Sequence, residues 1–594
     1  MKIKINRNIL WTETFVNKLS NLGVKYACIS PGSRNTPLTI AFANNKKIKS
    51  FILVDERSSG FFALGLARAS DSPVVLVCTS GTAVAEFYPA IIEAYQQRIP
   101  LIVCTADRPP ELIGKGANQT IFQDNIYKNH IRWFVNAGLP EPNSERLEFI
   151  CRLAEKAVLD SSKDNRGPVH INFPFRKPFE PSSFTDEIEE NLMDFSNCLK
   201  TQIFRSSNHN YEPVSSKENE NIFDEIYSSC KSNARGLIVV GPGIYQDSFA
   251  EKVNILATML NYPIIADGTS NLRFNHLPKT NILSNFEGYF RSDSFMSTMQ
   301  PELVIQFGRM CTSKAMEEFF GNMDAPFFIV DEYGQWFDPF NKARAVLKMK
   351  PESFCVNIVS RLKHNGFIAQ TESSWLDKFT KAELLAEKLK NEIIEEAQFP
   401  FEGRIITEVI KLIPENSALM ISNSMPVRDL DYFAQKINKH IQIFHNRGAS
   451  GIDGITSTAL GISFGLSKKT VLITGDLAFY YDLNGLLASL KYSIPLTVVL
   501  VNNNGGGIFQ MLPITKCEEI FEDYFSTPLN IDFSHFVKAY NGNFEVVSSW
   551  EHFRMAFSNS LNINEGISVI QVNTDPKASS LIRKDYWKRV GELV

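Results

Sequence analysis

Two distant stretches of this 594-residue chain carry the same marks in the same order. Ala63-Leu64-Gly65 is followed by Ile99-Pro100-Leu101, and Ala459-Leu460-Gly461 by Ile494-Pro495-Leu496, at spacings that agree to within one residue. Between the marks each copy holds an apolar strand-like run, a turn with Gly81 or Gly475, and a helical pattern. Four features in register imply an internal duplication rather than two unrelated α/β units. The copies end differently, CTADRPPE in the first and VNNNGGG in the second, so one scaffold carries two chemistries at its strand tips.

A chain of this length exceeds one core, and two to four domains are expected. Apolar runs alternate with helical patterns almost throughout: FILV (51–54), VVLVC (74–78), LIVCT (101–105), LIVV (237–240), LVIQF (303–307), VLIT (471–474) and LTVVLV (496–501). That alternation predicts parallel α/β domains. Polar stretches at 205–221 and around 360–374 read as linkers, giving three doubly wound parallel-sheet domains near 1–195, 210–360 and 375–594, the first and last related.

The bulk numbers exclude more than they select. A net charge of −4 without a long basic run argues against a nucleic-acid partner. No window approaches the roughly eighteen apolar residues of a membrane span, and the start, MKIKINRNIL, lacks a signal peptide's apolar stretch. Cys28, Cys78 and Cys104 sit in apolar runs without CxxC pairing, as free thiols do in a reducing compartment. A soluble, cytoplasmic protein is expected.

The strongest chemical signal is TGDLAFYYDLNGLLASLKYSIPLTVVLVNNNGG. Asp476 ends one strand where a helix begins, and Asn503 ends the next. Adjacent strand ends of a doubly wound sheet line the crevice where ligands bind. A carboxylate, an amide oxygen and a nearby carbonyl are hard donors that suit Mg²⁺ with water and phosphate oxygens, and a helix start offers N–H groups to a diphosphate. A capping Asp and an Asn-Gly turn would each account for one half of the pattern, but not for the pair.

Gly475-Asp476 with Asn502-Asn503 resembles the motif of the thiamine-diphosphate-dependent enzymes. The resemblance implies thiamine diphosphate as cofactor, with Asp476, Asn503 and the carbonyl of Gly505 holding Mg²⁺ or Mn²⁺. The motif's usual third glycine is Leu477 here. The duplicated first domain should then supply a carboxylate to the cofactor's pyrimidine. FILVDERSSGFFALGLARAS offers Asp55 and Glu56 at a strand end, and either could equally open the helix. The resemblance selects Glu56, which in the family hydrogen-bonds the aminopyrimidine and promotes its imino tautomer. Partial burial would raise the pKa of such a group.

Five segments carry a finer resemblance: SPGSRNTP (30–37), TADRPPEL (105–112) with ANQTI (117–121), GRMCTSK (308–314), NSMPVRD (423–429) and NRGASGIDG (446–454). Together they are similar to the 2-succinyl-5-enolpyruvyl-6-hydroxy-3-cyclohexene-1-carboxylate synthases. That family decarboxylates 2-oxoglutarate and adds the succinyl carbanion to isochorismate. Both substrates are dicarboxylates, and a site for them calls for fixed cations, preferably arginines. The matched segments contain Arg34, Arg108, Lys314, Arg428 and Arg447. The resemblance further implies that Ser33, Gln119 and Ser424 hydrogen-bond substrate, and that Ile452 props the bent cofactor. It also implies a homodimer or homotetramer with the site at the subunit interface. Ala315 stands where some members have a second basic residue. Gly241-Pro242-Gly243 is a weak nucleotide signal, and the central domain reads as structural apart from Lys314.

Two other readings compete. An acetohydroxyacid-synthase-like carboligase or simple decarboxylase would use less charged acceptors, against the arginine set. A binding protein retaining only the fold would not need Glu56, Asp476 and Asn503 together.

Overall fold

The computed structural model describes residues 2–201, 217–368 and 374–594. Three six-stranded sheets, parallel throughout, form its frame. The first contains β1 (Tyr26–Ile29), β2 (Lys49–Ile52), β3 (Val74–Cys78), β4 (Leu101–Asp107), β5 (Phe134–Asn136) and β6 (Val169–Pro174). The central sheet contains β7 (Gly236–Val240), β8 (Ile264–Ala266), β9 (Ile282–Leu283), β10 (Leu303–Phe307), β11 (Phe327–Asp331) and β12 (Ala345–Lys348). The last contains β13 (Ser417–Ile421), β14 (Ile441–His445), β15 (Thr470–Gly475), β16 (Leu496–Asn502), β17 (Asn543–Val546) and β18 (Ile567–Asn573).

Strand order carries the duplication. The first sheet runs β2-β1-β3-β4-β6-β5 and the last β14-β13-β15-β16-β18-β17, the same permutation. The central sheet runs β9-β8-β7-β10-β11-β12, the order of a doubly wound nucleotide-binding sheet. The expected α/β class with related first and last domains is what the chain adopts. Central strands such as VVLVC are fully buried because helices cover both faces, which explains their unbroken apolar character.

Seven helices matter for the site: α1 (Glu56–Ser70), α2 (Lys314–Asn322), α3 (Glu402–Leu412), α4 (Met425–Phe433), α5 (Ile455–Leu466), α6 (Asp476–Tyr481) and α7 (Pro576–Leu593). Helices α1 and α5 join the two copies, and the repeated glycines lie where they touch. A Cβ on Gly65 would sit 2.1 Å from the Thr458 carbonyl oxygen, and one on Gly461 2.2 Å from that of Phe62. The repeat mark is therefore a packing requirement: only glycine allows the backbones this close. One apolar cluster runs from Phe51, Phe62 and Leu76 of the first copy to Ile455, Leu460 and Leu472 of the last. Gly461→Val is expected to destabilise the protein by about 3 kcal/mol, the upper part of the overpacking range. Urea unfolding checks this, and an unchanged midpoint would contradict the close contact.

The two polar stretches are only partly linkers. Residues 217–221 open the helix Lys217–Ser232, whose Ile226, Tyr227 and Cys230 pack into the central core; 205–216 lie outside the described residues. Residues 360–364 end the helix Pro351–His364, and 369–373 lie outside the described residues. The helices were concealed because the turns that enter these stretches are mostly polar and exposed.

Candidate functional site

Every residue singled out above follows the C-terminal end of a parallel strand. Ser33 and Arg34 follow β1, Glu56 follows β2, and Arg108 and Gln119 follow β4. In the last sheet Ser424 and Arg428 follow β13, Arg447 and Ile452 follow β14, Asp476 follows β15, and Asn503 and Gly505 follow β16. Lys314 follows β10. Strand order reverses between β1 and β3 and again between β13 and β15, and ligands of doubly wound sheets bind at such reversals.

In the first copy, Arg34 is 5% exposed. Its Nη1 donates to the Phe175 carbonyl at 2.6 Å and its guanidinium lies 4.5 Å from the Phe179 ring centre, while its buried Nε lacks a partner. Burial and then the charge of Arg108 depress its pKa to about 10. Arg108 donates through Nη1 to Ser80 Oγ and through Nη2 to the Asn118 carbonyl at 2.6 Å. Gln119, in left-handed backbone, donates to the Ser80 carbonyl at 3.0 Å. Ser33 is exposed. Arg108 and Gln119 thus meet at the Ser80 turn, with Arg34 close enough to Arg108 to feel its charge.

The geometry separates Asp55 from Glu56. Asp55 caps α1, accepting from the Ser58 amide at 3.1 Å and from Asn484 Nδ2 at 2.8 Å. Both its oxygens are engaged. Glu56 is half-buried and, among the described residues, hydrogen-bonds only its own amide; burial, opposed by that bond, raises its pKa.

In the last copy, Asp476 is 1% exposed, and burial pushes its carboxyl up to about 6. One oxygen accepts from the Gly505 amide at 2.6 Å. Gly505 has φ +140°, and a Cβ there would lie 2.1 Å from the Ser526 carbonyl oxygen, so the position demands glycine. Its carbonyl accepts from the Gly507 amide at 3.0 Å. Asn503 Oδ1 is buried and has no hydrogen-bond partner among the described residues. An orphaned amide oxygen beside a buried carboxylate fits a hard divalent cation, which would satisfy the one and neutralise the other. Among the described residues no three His, Cys, Asp or Glu side chains form a metal cluster. A cation here would therefore take its other ligands from carbonyl, water and diphosphate oxygens.

Arg428 Nη1 donates to the Ser424 carbonyl at 2.7 Å, and Ser424 has φ +71°. Arg447 Nη1 donates to Asn423 Oδ1 at 3.2 Å; burial and then nearby charges, Arg428 among them, depress its pKa. Two residues missed in the sequence hold this loop. Asn423 donates to the carbonyls of Asn446 and Gly451, both at 2.7 Å. Glu93, from the first copy, accepts from the amides of Gly448 and Ala449 at 2.8 and 2.6 Å. Asn423 lay inside a matched segment; Glu93 had no local signal. Lys314 is exposed and pairs with Glu317 at 3.4 Å. Ala315 is fully buried, its amide donating to Glu287, so no solvent-facing charge is lost there.

Glu93 and Asp55 tie the two copies together, but among the described residues no hydrogen bond or ion pair joins Ser33, Arg34, Glu56, Arg108 or Gln119 directly to Ser424, Arg428, Arg447, Asp476 or Asn503. A cleft of about 610 Å³ lies along the Gly241-Pro242-Gly243 turn beside Arg98 and Arg309; of the expected site residues it holds only Arg447.

Arg34→Ala tests the opening turn. Loss of one charge-assisted contact, about 1.5–3 kcal/mol, is expected to raise substrate KM about 10- to 100-fold with cofactor affinity little changed. Steady-state kinetics and cofactor titration check it; the reverse pattern would make the turn a phosphate cradle.

Comparison with known proteins agrees with this geometry over most of the chain. Residues 11–127 match the N-terminal TPP-binding domain of thiamine pyrophosphate enzymes, 204–421 the middle domain, and 432–572 the C-terminal TPP-binding domain. The chain belongs to the thiamine-diphosphate-dependent enzymes. Its relatives narrow the class. The 2-succinyl-5-enolpyruvyl-6-hydroxy-3-cyclohexene-1-carboxylate synthase of Haloarcula marismortui is 38% identical over 99% of both chains. The synthases of Bacillus cytotoxicus (97% of this chain, 95% of the relative) and Geobacillus kaustophilus (98% of each) are 37% identical. The chain is a member of that synthase family.

Proposed function

We propose that the protein catalyses thiamine-diphosphate-dependent decarboxylation of 2-oxoglutarate and conjugate addition of the succinyl carbanion to isochorismate. The products are 2-succinyl-5-enolpyruvyl-6-hydroxy-3-cyclohexene-1-carboxylate and CO₂, a step of menaquinone biosynthesis and a transferase reaction of the transketolase class. The observation that carries the substrate assignment is a pair of like-charged pairs. Arg34 with Arg108, and Arg428 with Arg447, lie close enough at the strand tips for one cation to depress the other's pKa. Asp107, Asp267 and Glu93 offset the repulsion in part, yet among the described residues none of the four arginines is in a salt bridge; cations so placed call for anionic ligands, and dicarboxylates supply them.

The bound cofactor supplies an electron sink for the pair left when CO₂ departs. Asp476, Asn503 and the Gly505 carbonyl would hold its Mg²⁺ or Mn²⁺, and Ile452 would support it from the loop before α5. Glu56 would share a proton with the aminopyrimidine, a task its raised pKa suits. Ser33, Arg34, Arg108, Gln119, Lys314, Ser424, Arg428 and Arg447 would bind the two substrates. Residues 1–195, 210–360 and 375–594 would serve as pyrimidine-binding, central and diphosphate-binding domains.

Exposed apolar side chains beside both half-sites support assembly through these faces. Val54, Phe122, Tyr480, Tyr481 and Tyr524 are 46–77% exposed near Glu56, Gln119, Asp476 and Gly505. A homodimer or homotetramer with the site between subunits accounts for them. No helix among the described residues is long and apolar enough to cross a membrane, in keeping with a cytoplasmic enzyme.

Donor choice tests this reading. CO₂ release from 2-oxoglutarate is expected to exceed that from pyruvate about 10- to 100-fold, the worth of one charge-assisted carboxylate contact. Equal use of pyruvate would favour an acetohydroxyacid-synthase-like carboligase.

A further inference from the structure

Glu402 belongs to none of the matched motifs, yet it touches one of the expected ligands. Asn503 Nδ2 donates to its Oε1 at 3.0 Å, and Thr574 Oγ1 donates to the same oxygen at 3.0 Å. Its Oε2 accepts from Arg583 Nη2 at 2.6 Å. Arg583 also grips Asp429, through Nη2 at 2.6 Å and Nε at 2.8 Å. Glu402, Arg583 and Asp429 are 3%, 1% and 2% exposed and come from α3, α7 and α4.

The chemistry of these groups fixes a direction. An ionised carboxylate only accepts hydrogen bonds, so the amide nitrogen of Asn503 must face Glu402. The amide oxygen then points the other way, and it is the atom left buried without a partner. Gly507 backs the amide: a Cβ there would lie 2.4 Å from Nδ2. With a neutral partner at residue 402, the Asn503 amide could turn over and present its nitrogen instead.

We propose that Glu402 is a positioning residue for the metal–diphosphate site. It holds the Asn503 amide so that Oδ1 remains available to the cation, and Arg583 holds Glu402. Because Arg583 also binds Asp429, the neighbour of Arg428, the C-terminal helix braces both the metal ligand and a substrate cation. Replacing a buried ion triad by packed apolar groups often leaves stability unchanged, so the value of this one lies in orientation. The proposal rests on the reading of Asn503 as a metal ligand.

A reciprocal swap tests it, with Mn²⁺ binding followed by electron paramagnetic resonance on metal-free, full-length protein in the presence of thiamine diphosphate. Glu402→Gln is expected to weaken Mn²⁺ binding about 10-fold or more, the usual cost of losing an outer-sphere partner. Asn503→Asp should weaken it about 10- to 100-fold, because the introduced carboxylate meets that of Glu402. The double variant should recover most of the loss, since the introduced glutamine can donate where the native side chain accepted. It carries the wild-type charge, and a general packing defect would not be repaired by the second change. Losses that simply add in the double variant, or wild-type binding by Glu402→Gln, would overturn the positioning role. If Asn503→Ala and Asp476→Ala both bind Mn²⁺ like the wild type, the ligand reading itself fails, a result distinct from absence of rescue.

Discussion

Glu56→Gln is expected to lower turnover about 10²- to 10⁴-fold, the usual contribution of a positioned proton-transfer group, while leaving the fold and cofactor affinity close to those of the wild type. Among the described residues the side chain has no hydrogen-bond partner beyond its own amide, so replacing its carboxyl by an amide breaks no observed tertiary hydrogen bond. Its helix remains capped by Asp55, which accepts from Ser58 and Asn484. Pre-steady-state kinetics on cofactor-loaded protein separate the effect from binding. The same experiment on Asp55→Asn should show a change in stability more than in rate, because Asp55 caps the helix and ties the two copies. A fully active Glu56→Gln variant would remove Glu56 from the chemistry.

Asp476→Ala is the second large effect. Its carboxylate is buried, hydrogen-bonded to the Gly505 amide, and adjacent in the sheet to the strand that carries Asn503. Removing it deletes the only carboxylate among the proposed ligands and frees the Gly505 loop. Cofactor affinity should fall by more than the roughly 10- to 100-fold typical of an outer-sphere partner, and excess Mg²⁺ should restore it only in part. Calorimetric titration of thiamine diphosphate with and without Mg²⁺ reads this directly. Unchanged affinity would contradict the metal assignment.

The parts legible in the sequence share a local signature. VVLVC and LVIQF are strands over the same residues in the structure, because buried parallel strands read as unbroken apolar runs. The repeated Ala-Leu-Gly was visible as a repeat, and the structure supplies its cause, the close crossing of α1 and α5. The strand-tip residues could be found because a parallel sheet puts such tips on one edge. What stayed hidden depends on contacts between distant segments. Asp55 and Glu56 are indistinguishable until Asn484 arrives to occupy one of them. Glu402 and Arg583 lie in ordinary amphipathic helices, and nothing local marks them as partners of Asn503 and Asp429. Helices Lys217–Ser232 and Pro351–His364 extend into stretches whose polarity suggested linkers, since the turns that enter those stretches are mostly polar and exposed.

The central claim is a substrate-specific carboligation by two copies of one scaffold. Its most direct test combines purified protein, Mg²⁺, thiamine diphosphate, 2-oxoglutarate and isochorismate, with isochorismate absorbance and product mass followed together. Isochorismate should disappear only when every component is present, with a product that has gained the four-carbon succinyl unit. Persistence of isochorismate alongside turnover of pyruvate would contradict the claim.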